Sequence, residues 1–509
     1  MKLAVDGLAE RIAAGGEWAL LDVQEAGPFA EGHIFQACPL PYSRLELRAG
    51  ALLPRRSTPI VVTDADGSAT ARRAASRLQD LGYPDVRWLD GGNAAWSAAG
   101  HTLFQGVHVP SKAFGERVEH RLGTPSLTPQ QFLTLRAGDR RVLLIDGRPF
   151  DEYRQYTIPG SICCPNGELP LRIGAMAGED DVLVVNCAGR TRSILGAETL
   201  RRLFPGREVY ALRNGTQGWF LAGLEVERSA LRRYPQHVDA AQRAAARRRV
   251  EALSQRHPAP VIDGHTLAAW RQDTERSTYL FDVRTAEEYA AGTLPGAIHA
   301  PGGQLLQATD LWVAVAGARI VVFDGESLRA PIVVAWLRDM GLDAHVLPEA
   351  GPQPMVAASP PAPAIEALPR LRRADLSGWK VVDLRDSDAF RSGHEPGACW
   401  SIRPVLARVV HRGDRIAFVA DDPALAALAA IDAREHGAGQ VALLVDPLAS
   451  SVSPDDPPEA DCIDRVAFTA GRHSGNRAAA EQYLAWEMNL VQQMGPLEWA
   501  RFPRAWRDA

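Results

Sequence analysis

Four times along the chain a short apolar run closes on an aspartate, and a stretch with acidic and aromatic positions follows it. The copies read Leu20-Leu21-Asp22-Val23-Gln24, Leu144-Ile145-Asp146-Gly147-Arg148, Leu280-Phe281-Asp282-Val283-Arg284 and Val381-Val382-Asp383-Leu384-Arg385. A turn-forming segment comes next: Gly32-His33-Ile34, Ile158-Pro159-Gly160, Leu294-Pro295-Gly296-Ala297, and Gly393-His394 with Pro396-Gly397-Ala398. The aspartates lie 124, 136 and 101 residues apart, each a normal size for a small domain.

A second apolar strand follows in every copy, at Pro59–Thr63, Val182–Asn186, Arg319–Phe323 and Arg415–Ala420. A short polar turn and a helix-like stretch come after it. The residues closing these strands are Asp64, Cys187, Asp324 and Asp421, which lie 42, 41, 42 and 38 residues past the first landmark. Gly92-Asn93-Ala94-Ala95-Trp96 and Gly215-Thr216-Gln217-Gly218-Trp219 end the first two copies, each tryptophan 32 residues after Asp64 or Cys187. The last two copies lack this ending and are read as shortened. Apolar strands alternating with helical stretches predict βαβ units, hence an α/β fold with a parallel sheet flanked by helices in each copy.

The spacing predicts domains over 1–106, 126–228, 259–351 and 369–448, with a tail over 449–509. Linkers are expected at 107–125, 229–258 and 352–368, the last stiffened by Pro360, Pro361 and Pro363. Leu8, Ile12 and Ala13 space like one face of a helix entering the strand Trp18–Val23. Further helices are expected over Ala240–Ser254 and Arg477–Met494. The arginines 247–249 read as a solvated face of the former. The tail is expected to cover the sheet of the fourth copy or to mediate dimerisation.

Composition narrows the function. The 509 residues carry a net charge of only −5, which points to neither nucleic acid nor an anionic membrane as partner. Six cysteines without a C-x-x-C pair suggest neither a disulfide framework nor a zinc site. No metal or cofactor is called for, and His473 has no neighbour at ligand spacing. Asp6, Glu10 and Arg11 interrupt any export signal, and no run reaches the ~20 apolar residues of a membrane span. A soluble protein of the reducing cytoplasm is expected.

The chemistry concentrates in Val184-Val185-Asn186-Cys187-Ala188-Gly189-Arg190-Thr191-Arg192-Ser193-Ile194-Leu195. A cysteine ends a buried strand, a glycine-containing loop follows, and a helix is expected to begin near Ser193. Backbone N–H groups in such a turn converge into an anion-binding nest, and the helix dipole points at the same spot. Arg190 and Arg192 add cations. All three favour thiolate over thiol, and thiolate is the nucleophile. The cradle would hold an anionic sulfur donor and then a cysteine persulfide.

These motifs resemble the rhodanese family, over roughly residues 1–450 as four copies. The Asp-x-Arg, Glu-Tyr and Pro-Gly-Ala pattern, the Cys187 loop and Gly-x-x-Gly-Trp at 215–219 carry the resemblance together. It implies four tandem rhodanese-like domains, each a small doubly wound parallel sheet with helices on both faces. It implies Cys187 as nucleophile and Ala188, Gly189, Arg190, Thr191 and Arg192 as the substrate-binding loop. The arrangement is similar to bacterial multi-rhodanese thiosulfate sulfurtransferases. The implied activity moves sulfane sulfur from a donor such as thiosulfate to a thiophilic acceptor, cyanide or a thiol. The alternative is a persulfide relay or scaffold whose modules dock protein partners. The Cys-x4-Arg spacing argues for sulfur, because related phosphatases and arsenate reductases use Cys-x5-Arg, and that position here is Ser193.

The remaining candidates read as structure. Cys163 and Cys164, and Cys38 and Cys399 in similar places, are expected in the core, whereas Cys462 in the tail gives no reading. Arg148 and Glu152 recur as Arg284 and Glu288 in a copy without cysteine, so they are expected to act structurally, as a buried pair positioning the loop. Asp64, Asp324 and Asp421 cannot attack sulfur. Those copies are expected to be inactive, with Asp324 pairing with an arginine such as Arg329, and to help shape the mouth of the Cys187 pocket.

Overall fold

A computed structural model describes residues 1–348, 355–357, 365–446, 457 and 461–507. The third predicted linker, with its prolines, lies mostly outside the described residues, as do the last positions of the third and fourth expected domains.

The second module shows the plan. Its strands run Ser126–Leu127, Val209–Leu212, Val182–Asn186, Val142–Asp146 and Ile162–Cys163 across a parallel sheet. The aspartate strand and the strand leading to Cys187 sit side by side near the centre, with Asp146 opposite Asn186. Helices cover both faces of such a strand, so it reads as an unbroken apolar run. The fourth module repeats the order with Arg370–Leu371, Gln440–Leu444, Arg415–Val419, Lys380–Asp383 and Cys399–Trp400. The third has four strands, Ile298–His299, Thr278–Asp282, Arg319–Phe323 and Asp343–Leu347. It lends the short strand Val315–Ala316 to the first module, antiparallel to Trp18–Asp22, so two modules share one sheet. The fold is therefore a tandem array of α/β modules, each built on a parallel sheet. Among the described residues no helix is long and apolar enough to cross a membrane.

The landmark aspartates are internal ties. Asp146, fully buried, accepts from Arg148 Nε (2.9 Å) and Nη2 (2.8 Å), Thr157 Oγ1 (2.7 Å) and Asn186 Nδ2 (3.0 Å). Burial acts to raise its pKa, but the Arg148 charge overrides this and holds the carboxyl low. Asp282–Arg284 and Asp383–Arg385 repeat the pair. In the first module Asp22 has only Gln24 and Asn93, neutral partners, and burial pushes its carboxyl up to about 7. The expected Arg148–Glu152 pair does not form. Arg148 turns to Asp146 because it is two residues away on the same turn, leaving Glu152 for Arg192.

Two segments differ from the sequence reading. The first linker is a helix, Val109–Leu122, buried over nearly its whole length against the helix Thr191–Leu203. A Cβ on Gly115 would come within 2.8 Å of Thr191 Cγ2, so glycine permits this close approach. Among the described residues the tail meets the fourth module where Ile463 packs against its core. It touches the first and fourth modules around residues 462–464, and its helix Arg477–Gln493 then lies on Val109–Leu122 and Gly215–Leu221, over the second module. Cross-module ion pairs fix the array, with Arg329 on Glu168 and Arg403 on Glu46, both guanidiniums buried.

Candidate active site

Cys187 follows the buried strand Val182–Asn186 and is 2% exposed. Its loop leads directly into the helix Thr191–Leu203, which starts two residues earlier than the pattern predicts. The loop is held from behind by Gly215–Leu221: Thr216 N–H donates to the Cys187 carbonyl (2.8 Å) and Gln217 N–H to the Ala188 carbonyl (3.1 Å). Ser193 Oγ lies 3.7 Å from Cys187 Sγ and itself donates to the Arg190 carbonyl (2.7 Å).

Gly215 has φ +53°, and a Cβ there would sit 2.2 Å from the Cys187 carbonyl oxygen. Gly215→Ala is expected to lower stability by about 2 kcal/mol or more through left-handed strain plus the clash. It should also displace the loop, so activity falls along with the denaturation midpoint; an unchanged midpoint would contradict this geometry.

The five predicted loop residues, Ala188, Gly189, Arg190, Thr191 and Arg192, do surround Cys187, but their side chains are engaged. Arg190 binds Glu116 through Nε (2.6 Å) and Nη2 (2.8 Å), reaches Glu119, and donates to Asn214 Oδ1 (3.0 Å). Arg192 makes a two-pronged bond to Glu152, 2.8 Å on each arm. Burial acts to raise the Glu152 carboxyl, but Arg192 draws it below the usual range. Arg192 remains within electrostatic reach of Cys187. The guanidiniums therefore brace the loop and supply charge, leaving direct contact with an anion to the backbone N–H groups.

In the cysteine-free modules the corresponding loops bind an aspartate. In the third, the Asp324 carboxylate accepts the backbone N–H groups of Glu326 (2.9 Å), Ser327 (2.5 Å), Leu328 (2.9 Å), Arg329 and Ala330 (2.9 Å). In the first, Asp64 accepts from Gly67 (2.7 Å), Ser68 (3.2 Å) and Ala71 (3.0 Å) N–H. The expected Asp324–Arg329 side-chain pair is replaced by this bond to the Arg329 backbone, because the guanidinium goes to Glu168 and Glu288. The fourth module has no such cradle: Asp421 is exposed and Asp422 caps a helix starting at Pro423.

Several residues around Cys187 come from segments whose sequence gave no chemical signal. Lys112 and Glu116 lie on the helix read as a linker; Tyr483 and Glu487 lie on the tail helix. Lys112 Nζ donates to Tyr483 OH at 2.6 Å, and burial pulls the lysine pKa down. His473 stacks on Tyr156, ring centroids 5.0 Å apart, and burial drops its pKa to about 3, so it stays neutral. Gln217 was visible within the Gly-x-x-Gly-Trp motif. The other cysteines hold no such place: Cys38, Cys163 and Cys164 are buried among apolar neighbours, and burial pushes the thiols of Cys38 and Cys163 up to about 12.

A model of the rhodanese-like domain matches residues 5–99, 128–222 and 265–349. The crystal structure of a thiosulfate sulfurtransferase from Pseudomonas aeruginosa superposes with a TM-score of 0.90 at 38% identity, covering 98% of this chain and 99% of that one. The Alr3790 protein of Anabaena is 27% identical over 20% of this chain and 91% of its own, with a TM-score of 0.19. Among curated sequences, an HTH-type transcriptional regulator of Mycobacterium tuberculosis is 37% identical over 113 residues, which are 21% of this chain and 48% of the regulator. The chain thus spans about half the length of that curated relative.

Proposed function

The chain belongs to the rhodanese family, and we propose that it moves sulfane sulfur from an anionic donor such as thiosulfate to a thiophilic acceptor through a persulfide on Cys187. Sulfurtransfer as such is supported by the family and by the full-length likeness to the Pseudomonas enzyme. The observation that carries the reading to Cys187 is the pair of loops. Where the third module closes five N–H groups on its own aspartate, the second has a nucleophile at the matching position, ahead of a loop that enters the helix Thr191–Leu203 by its own backbone course.

In the first half-reaction the Cys187 thiolate attacks the outer sulfur of thiosulfate. A new S–S bond forms, the old one breaks, and sulfite leaves with the electron pair. The negative charge then sits on the persulfide, facing the loop N–H groups and the start of the helix Thr191–Leu203. In the second half-reaction an acceptor thiolate or cyanide takes the outer sulfur and returns Cys187 as thiolate. The Cys187 thiol donates toward Ser193 Oγ at 3.7 Å, and the Ser193 hydroxyl hydrogen goes to the Arg190 carbonyl.

The relay reading requires a protein acceptor to reach Cys187. Its near-complete burial under the tail helix favours small donors and acceptors instead. Mixing the protein with thiosulfate alone is expected to release one sulfite per chain in a burst and then stop. Cyanide or a small thiol should restore continuous turnover. Sulfite release with no burst limit, or turnover that starts only when a protein partner is added, would overturn this reading.

A further inference from the structure

The tail helix places a carboxylate inside the cradle. Glu487 is 1% exposed, and its Oε1 accepts from the Thr191 hydroxyl (2.6 Å) and the Thr191 N–H (3.3 Å). That N–H matches in register the Leu328 N–H that binds Asp324 in the third module. The other oxygen, Oε2, has no hydrogen-bond partner. Neither polar atom of the Gln217 amide has one either, and Gln217 is 2% exposed.

These unpartnered atoms converge on the nucleophile loop. A Cβ at Gly189 would lie 3.0 Å from Glu487 Oε2 and 3.6 Å from Gln217 Nε2. Among the described residues Glu487 forms no ion pair. Lys112 and Arg190 act on it only through space, Lys112 being tied to the Tyr483 hydroxyl and Arg190 to Glu116 and Glu119. A buried acceptor left without a donor is costly, and several aimed at one spot mark the place of a missing group. The free, anionic oxygen of Glu487 suits an ammonium. It opposes a dianion such as thiosulfate.

We propose that Glu487 forms a subsite for the ammonium group of a small aminothiol persulfide, making that class the preferred sulfur donor. The proposal rests on the covalent role of Cys187. The Cys187 thiolate attacks the terminal sulfur of R–S–SH, the new S–S bond forms, and the old one breaks. The electron pair leaves on R–S⁻ and the proton stays with the transferred sulfur. The ammonium of R, held by Glu487, sets the approach of that sulfur to Cys187.

The test follows loading of Cys187 by intact mass over time, with cysteine persulfide, the persulfide of 3-mercaptopropionic acid (the same molecule without its amino group) and thiosulfate. The full-length protein is expected to load from cysteine persulfide at least about tenfold faster than from the deamino analogue, since a site built around a donor group rejects a ligand lacking it. Glu487→Gln should bring this ratio near one and raise the thiosulfate rate several-fold. Each ratio is taken within one protein, so a loss of folded material cancels. A ratio near one in the parent protein, or an unchanged ratio in Glu487→Gln, would overturn the subsite while leaving the Cys187 reading intact. Loading from none of the three donors would overturn the covalent reading and the subsite with it.

Discussion

Cys187→Ser is expected to lower kcat/KM for sulfur transfer by at least about 10³-fold while leaving the fold in place. Serine matches cysteine in shape and keeps the neighbouring Ser193 hydroxyl as a partner. Its oxygen neither ionises near neutral pH nor bonds reversibly to sulfane sulfur. Cys38, Cys163 and Cys164 cannot take over. Cys163 and Cys164 are fully buried, burial pushing the first thiol up to about 12 and the second well above its ordinary value, and Cys38 is pushed up to about 12. The change in stability should stay within about 1 kcal/mol, because the loop is held by backbone bonds and by Arg190 and Arg192, not by the sulfur. Steady-state assays beside a denaturation curve check both halves. Residual activity within about tenfold of the parent would place the nucleophile elsewhere.

Asp324→Ala is expected to be the most costly single change in the cysteine-free modules, destabilising the protein by about 3–5 kcal/mol. Each buried donor left without an acceptor costs about 1–3 kcal/mol, and five N–H groups lose theirs together, with water regaining part. The damage would reach the second module, because Arg329 at the end of this loop binds Glu168 there. The vacated cradle should become an anion site, so sulfate ought to stabilise Asp324→Ala more than the parent protein. Urea denaturation with and without sulfate measures this. A loss below about 1 kcal/mol, or no extra response to sulfate, would show that the loop is not an anion cradle.

Much of the fold was legible because the central strands are buried on both faces. Val182–Asn186 and Arg319–Phe323 appear with the predicted bounds, since nothing polar interrupts those runs. The tail helix appears over Arg477–Gln493, one residue short of the reading, and the helix at Ala240 runs on to Arg256. The end of the latter is set by packing, with Leu253 buried in its last turn. The Cys187 loop was legible because strand, glycine and arginines are contiguous in sequence.

The rest of the site was hidden because its logic is long-range. Lys112, Ser111, Glu116 and Arg117 are buried polar residues on a helix whose partners lie far along the chain, so no apolar stripe distinguished it from a linker. Arg190 meets Glu116 across 74 positions, and Thr191 meets Glu487 across 296. A carboxylate in the tail carries no local sign that it will sit beside a nucleophile. Arg190 and Arg192 were expected to serve the anion, but Glu116 and Glu152, 74 and 40 positions away, claim them.

The central claim is that one cysteine of six carries the transferred sulfur. Peptide mapping after exposure of the protein to thiosulfate, beside Cys187→Ser, tests it most directly. The account predicts one added sulfur atom, located on the peptide containing Cys187 and absent from the variant. Sulfur on a peptide carrying Cys163 and Cys164 or Cys462, or retained in Cys187→Ser, would contradict it.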